Sequence, residues 1–160
     1  MLIRAMRYLG AIALLGVGAV HLQQYIGQNY QKIPTIGPLF LLNAVGSGVV
    51  GILLLLPIQR ALRRRAGDAA ITLLATAGVA IAAGSLAALF ISETSSLFGF
   101  SETGYRTAIV LAIVSEAATI LLLTPVAAVS LRRAASPQTP SRHPSTPDRS
   151  PPLSRPSPPG

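Results

Sequence analysis

The chain of 160 residues contains no cysteine and no tryptophan. Without cysteine there is no disulfide, no thiolate metal site, no iron–sulfur cluster and no cysteine nucleophile. Charge is scarce as well. Only 11% of the residues are Asp, Glu, Lys or Arg, against about 25% in an average soluble domain. Acid is scarcest: five Asp and Glu stand against thirteen Lys and Arg, for a net charge of +8. A chain this short makes roughly one domain, and so few charges would not cover its surface in water. The composition excludes an ordinary soluble enzyme.

What the chain has is apolar sequence, 51% of the total, gathered in four blocks at residues 8–26, 39–58, 69–91 and 107–129. At about 1.5 Å rise per residue each block spans a hydrocarbon layer of ~30 Å. Inside lipid a backbone must satisfy its own hydrogen bonds, so the blocks are predicted to be helices. None shows the period-two alternation of a membrane β-strand. Short connections make consecutive helices antiparallel neighbours. The expected fold is an all-α membrane protein, an antiparallel four-helix transmembrane bundle over residues 1–131. Pro57 and Pro125 lie near the ends of the second and fourth blocks. Pro125 is expected to kink or fray the last turns.

Residues 132–160 read as a disordered cytoplasmic tail. From position 134 onward lie nine of the thirteen prolines, with Ser, Thr and Arg between them, too little apolar surface to offset chain entropy. Pro-x-x-Pro spacings at Pro137 and Pro140, and at Pro144 and Pro147, offer a partner-binding alternative.

Charge orients the bundle. Arg4, Arg7, Arg60, Arg63, Arg64, Arg65, Arg132, Arg133, Arg142, Arg149 and Arg155 fall on one side. Lys32 and Arg106 fall on the other, balanced by Glu93 and Glu102. Basic loop residues are retained in the cytoplasm, which places both termini inside a multi-pass protein of the cell membrane. Arg4 and Arg7 before an apolar stretch also fit a signal peptide, but no Ala-x-Ala-type site follows, so the first block is kept as a span. The arginines are expected to meet anionic lipid headgroups. They lack aromatic interleaving or a nucleic-acid motif, so no nucleic-acid partner is expected. Most aromatics gather at the opposite boundary, and Leu97-Phe98-Gly99-Phe100 is expected either to cover the bundle end or to dip into the interface.

Polar residues inside the membrane are costly and mark the candidate site. Glu116 lies near the middle of the fourth helix, where an exposed carboxylate would be unfavourable, and is expected to face inward. His21 shares a face with Gly18, Gln24 and Tyr25 by its spacing. Asn43 lies at similar depth on the second helix and Ser85 on the third. His21, Gln24, Asn43, Ser85 and Glu116 are therefore the candidate intramembrane polar site. The alternative is interhelical glue, worth roughly 0.6 kcal/mol per pair. Small residues at Thr72, Thr76, Ala80, Gly84 and Ala88, and at Ser47 and Gly51, are read as packing ridges, with a homo-oligomer face as the alternative. No HExxH, CxxC, Walker loop or GxSxG is present. No catalytic residue, metal or cofactor is expected, and one membrane histidine does not give bis-histidine haem ligation within one chain.

Two stretches carry a resemblance. One is His21-Leu22, running on through Ile33-Pro34-Thr35-Ile36-Gly37-Pro38-Leu39-Phe40-Leu41-Leu42-Asn43-Ala44. The other is Leu97-Phe98-Gly99-Phe100-Ser101-Glu102, followed by Ser115-Glu116-Ala117-Ala118. Together they resemble a family of small, uncharacterised four-span membrane proteins of actinobacteria, over roughly residues 8–130. Helix number and size also resemble the DoxX-like membrane proteins. The resemblance implies the four-span fold and lends no activity. Three functions are therefore carried. The first is a non-catalytic helper or structural membrane subunit. The second is a proton-coupled small-molecule transporter using Glu116. The third is a membrane redox or lipid-handling enzyme using His21.

Overall fold

A computed structural model describes residues 1–94 and 107–136, the side chains of 93 and 94 excepted. The loop carrying Leu97 to Phe100 and the tail from 137, with both Pro-x-x-Pro spacings, lie outside the described residues. The described residues are all helical, with no strand among them. Helix α1 is Leu2–Gly27, α2 is Ile36–Leu55, α3 is Ile58–Ala61, α4 is Arg64–Thr94 and α5 is Thr107–Ala135. A 3₁₀ turn, Tyr30–Lys32, sits between α1 and α2. Four of these helices, all but α3, are long and apolar enough to cross a membrane.

Three of the four long helices outrun their apolar blocks. Arg4 and Arg7 extend α1, Arg64, Arg65 and Asp68 extend α4, and Arg132 and Arg133 extend α5. Arginine is a good helix former, and its long stem keeps the charge near the membrane boundary while the backbone stays helical. The helical stretch therefore continues to Ala135, past the expected start of the tail at 132. By contrast α2 stops at Leu55, short of the expected 58. Leu56 is extended, at φ −69° and ψ 150°, as a residue before proline prefers. Pro57 then opens the four-residue α3. Pro125 does not end α5. It removes one N–H, that paired with the Leu121 carbonyl in a regular helix, and the helix carries on through it.

The long helices close into a ring. Helix α1 packs against α2 and α5, α4 packs against α5, and α2 meets α4 more thinly. The centre is a dry layer of Ala11, Leu14, Leu54, Ile71, Ala75, Leu123 and Val126. Gly18 lets α1 and α2 touch: a Cβ there would stand 3.1 Å from the Ala44 carbonyl oxygen and 3.2 Å from the Ser47 Cβ. Large apolar side chains such as Ile12, Leu42, Ile52, Leu73, Val114 and Leu121 point outward. On a water-soluble protein this would be an aggregation surface. Around a bundle it is the surface that lipid covers.

One expectation about packing is corrected. Of the α4 ridge, Thr76, Ala80 and Gly84 are exposed, and Gly84 has nothing near the place a Cβ would take. The buried face of α4 is instead Ile71, Ala75, Gly78 and Ala82. Both sets repeat with helical spacing. Gly78, against Leu123 and Leu14, lies on the face that turns inward. The α2 ridge does pack: Ser47 is fully buried, and Gly51 meets Leu15 and the Ala11 carbonyl.

Candidate functional site

Past the dry core, away from the arginines, α1, α2, α4 and α5 part around a cavity of about 100 Å³. Helix α1 supplies Val20, His21 and Gln24. Helix α4 supplies Ser85 and Ser92, α5 supplies Ile109 and Glu116, and the start of α2 supplies Ile36 and Phe40. His21, Gln24, Ser92 and Glu116 are each less than a tenth exposed.

The imidazole is held at both ring nitrogens. His21 Nδ1 lies 2.9 Å from the Val17 carbonyl oxygen. A carbonyl only accepts, so Nδ1 carries the proton. Nε2 lies 3.0 Å from Ser85 Oγ, and in neutral imidazole it accepts the serine hydroxyl. The ring also stacks at a tilt on Phe40, centroids 5.0 Å apart, and Phe40 meets the edge of Tyr30 at 5.0 Å. The aromatic chain thus runs from the α1–α2 connection down to the histidine.

That connection is tightly formed. Thr35 has φ 68° and ψ −49°, and the Ile36 N–H donates to the Pro34 carbonyl oxygen at 2.8 Å. This is a γ-turn of the rare, strained hand, centred on a β-branched residue. At Gly37 a Cβ would come within 2.7 Å of the Tyr30 carbonyl oxygen, so only glycine lets α2 start this close to the 3₁₀ turn. The turn and the close approach together deliver Ile36 and Phe40 to the cavity wall.

Glu116 is the unusual member. It is 1% exposed, yet neither carboxyl oxygen has a hydrogen-bond partner among the described residues. The nearest charged or ionisable neighbour is His21, Nε2 to Oε1 at 3.9 Å, beyond hydrogen-bond length. Gln24 Oε1 is likewise buried and without a partner. Ser92 closes on itself, donating to the Leu89 carbonyl oxygen at 2.8 Å. Three acceptor atoms, on Gln24 and Glu116, therefore belong to the wall of one small cavity, where the Ser85 hydroxyl that meets His21 Nε2 is also within reach of the Glu116 carboxyl. A side chain with unmatched acceptors at this depth is costly in isolation. Among the described residues no three His, Asp or Glu side chains converge as a metal site would require.

Of the five candidate residues, His21, Gln24, Ser85 and Glu116 line this cavity. Asn43 does not: it lies on an adjoining groove between α2 and α4, which His21, Ser85 and Phe40 also border. Its Oδ1 accepts the Ser47 hydroxyl at 3.0 Å, a bond within one helix. Of the lining residues beyond the five candidates, two carry a polar or aromatic group. Ser92 stands seven residues after Ser85 and so shares its helix face, but it fell beyond the apolar block. Phe40, in the first of the two resembling stretches, is among the aromatics expected at the membrane boundary. No protein-family model, curated protein or solved structure matches the chain.

Proposed function

We propose that this is a non-catalytic, multi-pass protein of the cell membrane whose intramembrane pocket binds a small amphiphile through a donor-bearing, preferably amine, head group. In this reading consecutive helices are antiparallel and both termini are cytoplasmic. The arginine distribution supports that orientation, and the shared cavity of Gln24, late in α1, and Phe40, early in α2, supports the antiparallel pairing of those two helices. The observation that carries the binding function is the gathering of Gln24 Oε1, Glu116 Oε1 and Glu116 Oε2 at one cavity, all buried and without a hydrogen-bond partner among the described residues. A carboxylate accepts only, and an ammonium donates only, so their pairing is charge-assisted. The apolar remainder of the wall, Val20, Ile36, Phe40 and Ile109, suits a short hydrocarbon stem.

A second reading rests on the same pair. His21 Nε2 and Glu116 Oε1 stand 3.9 Å apart, so a proton would pass between them only through a bridging water or hydroxyl, the relay a proton-coupled transporter requires. The reading of His21 as an enzyme's working base or metal ligand has less support, because both ring nitrogens are engaged.

Titration calorimetry of the full chain in detergent tests the proposal, with n-hexylamine, n-hexanol and hexanoate as probes. Hexylamine is expected to bind best, and Glu116→Gln to weaken it by about tenfold to a hundredfold, the strength of a hydrogen bond to a charged group. Asn43→Ala, outside the cavity, leaves it unchanged. Hexylamine binding that is the same in Glu116→Gln refutes the pocket. Proton release on binding, followed by a dye in the same titration and lost in Glu116→Gln, separates the transporter reading from simple binding.

A further inference from the structure

At the basic end of the bundle a second cavity, of about 240 Å³, opens among α1, α3, α4 and α5. Its charged lining is Arg4 and Arg7 from α1, Arg64 and Asp68 from α4, and Arg133 from α5. Gln59 and Ser130 add neutral polar groups. Four guanidinium groups thus face one carboxylate. That carboxylate does not neutralise them. Asp68 is buried, and its Oδ1 accepts from Gln59 Nε2 at 2.7 Å. Among the described residues no arginine nitrogen comes within ion-pair distance of it, the sole such pair being His21 with Glu116.

Arg7 is the informative residue. It is 6% exposed, rare for an arginine with no acidic partner among the described residues. One guanidinium nitrogen donates to the Tyr8 hydroxyl at 2.8 Å, and the group lies 4.6 Å from the Tyr8 ring centre. The Nε–H is buried and without a partner among the described residues. Arginine donors are planar and fork-shaped, and match tetrahedral oxyanions two bonds at a time. The first turns of α1 and α4 also border the cavity, through Ile3, Arg4 and Arg64. Their macrodipoles add positive potential at that point.

We propose that this cavity binds a phosphate group, carried by an anionic lipid headgroup or by a free phosphate. Arg7 supplies the buried donor, Arg4, Arg64 and Arg133 close over the oxyanion, and Asp68, held by Gln59, bounds the site on one side. A cation is disfavoured by the four-to-one excess of arginine. The site lies across the dry core from the His21–Glu116 cavity, so it stands or falls independently of the amine-binding reading.

The test uses the full chain in dodecylmaltoside, with inorganic phosphate, dioctanoyl phosphatidylglycerol and dioctanoyl phosphatidylcholine as probes, read by native mass spectrometry and calorimetry. The perturbation is the pair Arg4→Gln with Arg133→Gln, both exposed side chains whose loss spares the core. The control is Arg60→Gln with Arg132→Gln, which removes equal charge outside the cavity. Phosphatidylglycerol is expected to bind over phosphatidylcholine, and to weaken roughly thirtyfold in the cavity pair, at the per-charge strength of a lipid-surface contact. Inorganic phosphate binding as tightly as phosphatidylglycerol identifies free phosphate as the source. Phosphate weaker by about tenfold or more, but still competing, identifies the lipid. Equal losses in the two pairs, or no loss in either, overturn the proposal.

Discussion

Replacing Glu116 by methionine is expected to stabilise the bundle while destroying its pocket. The carboxyl is 1% exposed and has no hydrogen-bond partner among the described residues. A buried polar group in that condition costs about 1–3 kcal/mol when neutral and more when charged, so the smaller figure is a lower bound for a carboxylate. Methionine has a similar length and volume, and repacking it costs less than about 1.5 kcal/mol. The balance favours Glu116→Met by about 1 kcal/mol, the usual sign for removing a residue kept for function rather than for stability. If Glu116 were interhelical glue, its loss would instead cost roughly 0.6 kcal/mol and seldom above ~2. The two accounts differ in sign, which makes the measurement decisive. Equilibrium unfolding in mixed micelles titrated with dodecyl sulfate, followed by far-ultraviolet circular dichroism, gives that sign. A Glu116→Met variant less stable than the native chain by about 0.6 kcal/mol or more refutes the reasoning.

Two further outcomes follow from the same structure. Thr35→Gly relieves a β-branched residue at φ 68°, a strain of about 1–3 kcal/mol, less the greater chain entropy of glycine at about 0.5–1 kcal/mol. The variant is expected to unfold later in the same titration, and an earlier transition contradicts the strained turn. Because the chain lacks cysteine, single substitutions Asn29→Cys and Arg63→Cys report orientation without background. An impermeant maleimide is expected to label position 29 on intact cells and position 63 only after lysis; the reverse pattern overturns the proposed topology.

The spans were legible because a bilayer asks for little more than length and apolarity, which the four blocks at Tyr8, Leu39, Ala69 and Thr107 already display. Their ends were less so. Arg64 and Arg65 read as loop because charge was weighed above helix propensity, whereas Pro125 was expected not to stop its helix, and α5 does run through it. His21, Gln24, Ser85 and Glu116 could be named from the chain because each is a polar residue set in apolar surroundings. Asn43 satisfied the same criterion yet faces another groove, since depth along a helix says nothing of azimuth. The α4 ridge failed for that reason too: Ala80 and Gly84 repeat as regularly as Ala75 and Gly78, and only packing chooses between them. The arginine cavity was hidden in plain sight. Its residues had been spent on orientation, and nothing in their spacing shows that Arg7 is buried.

The dry layer of Leu14, Leu54, Ile71 and Leu123 has an electrical meaning. Fourteen residues of α1 separate Arg7 from His21, about 21 Å at helical rise, and the layer fills the space between the two cavities. In a bundle that spans the membrane, as proposed, this layer is the low-dielectric stretch of the path between the two polar cavities. A unit charge that crossed the whole field would do work of about 2.3 kcal/mol per 100 mV. A charge passing from Glu116 to the arginine end would first have to part those leucines.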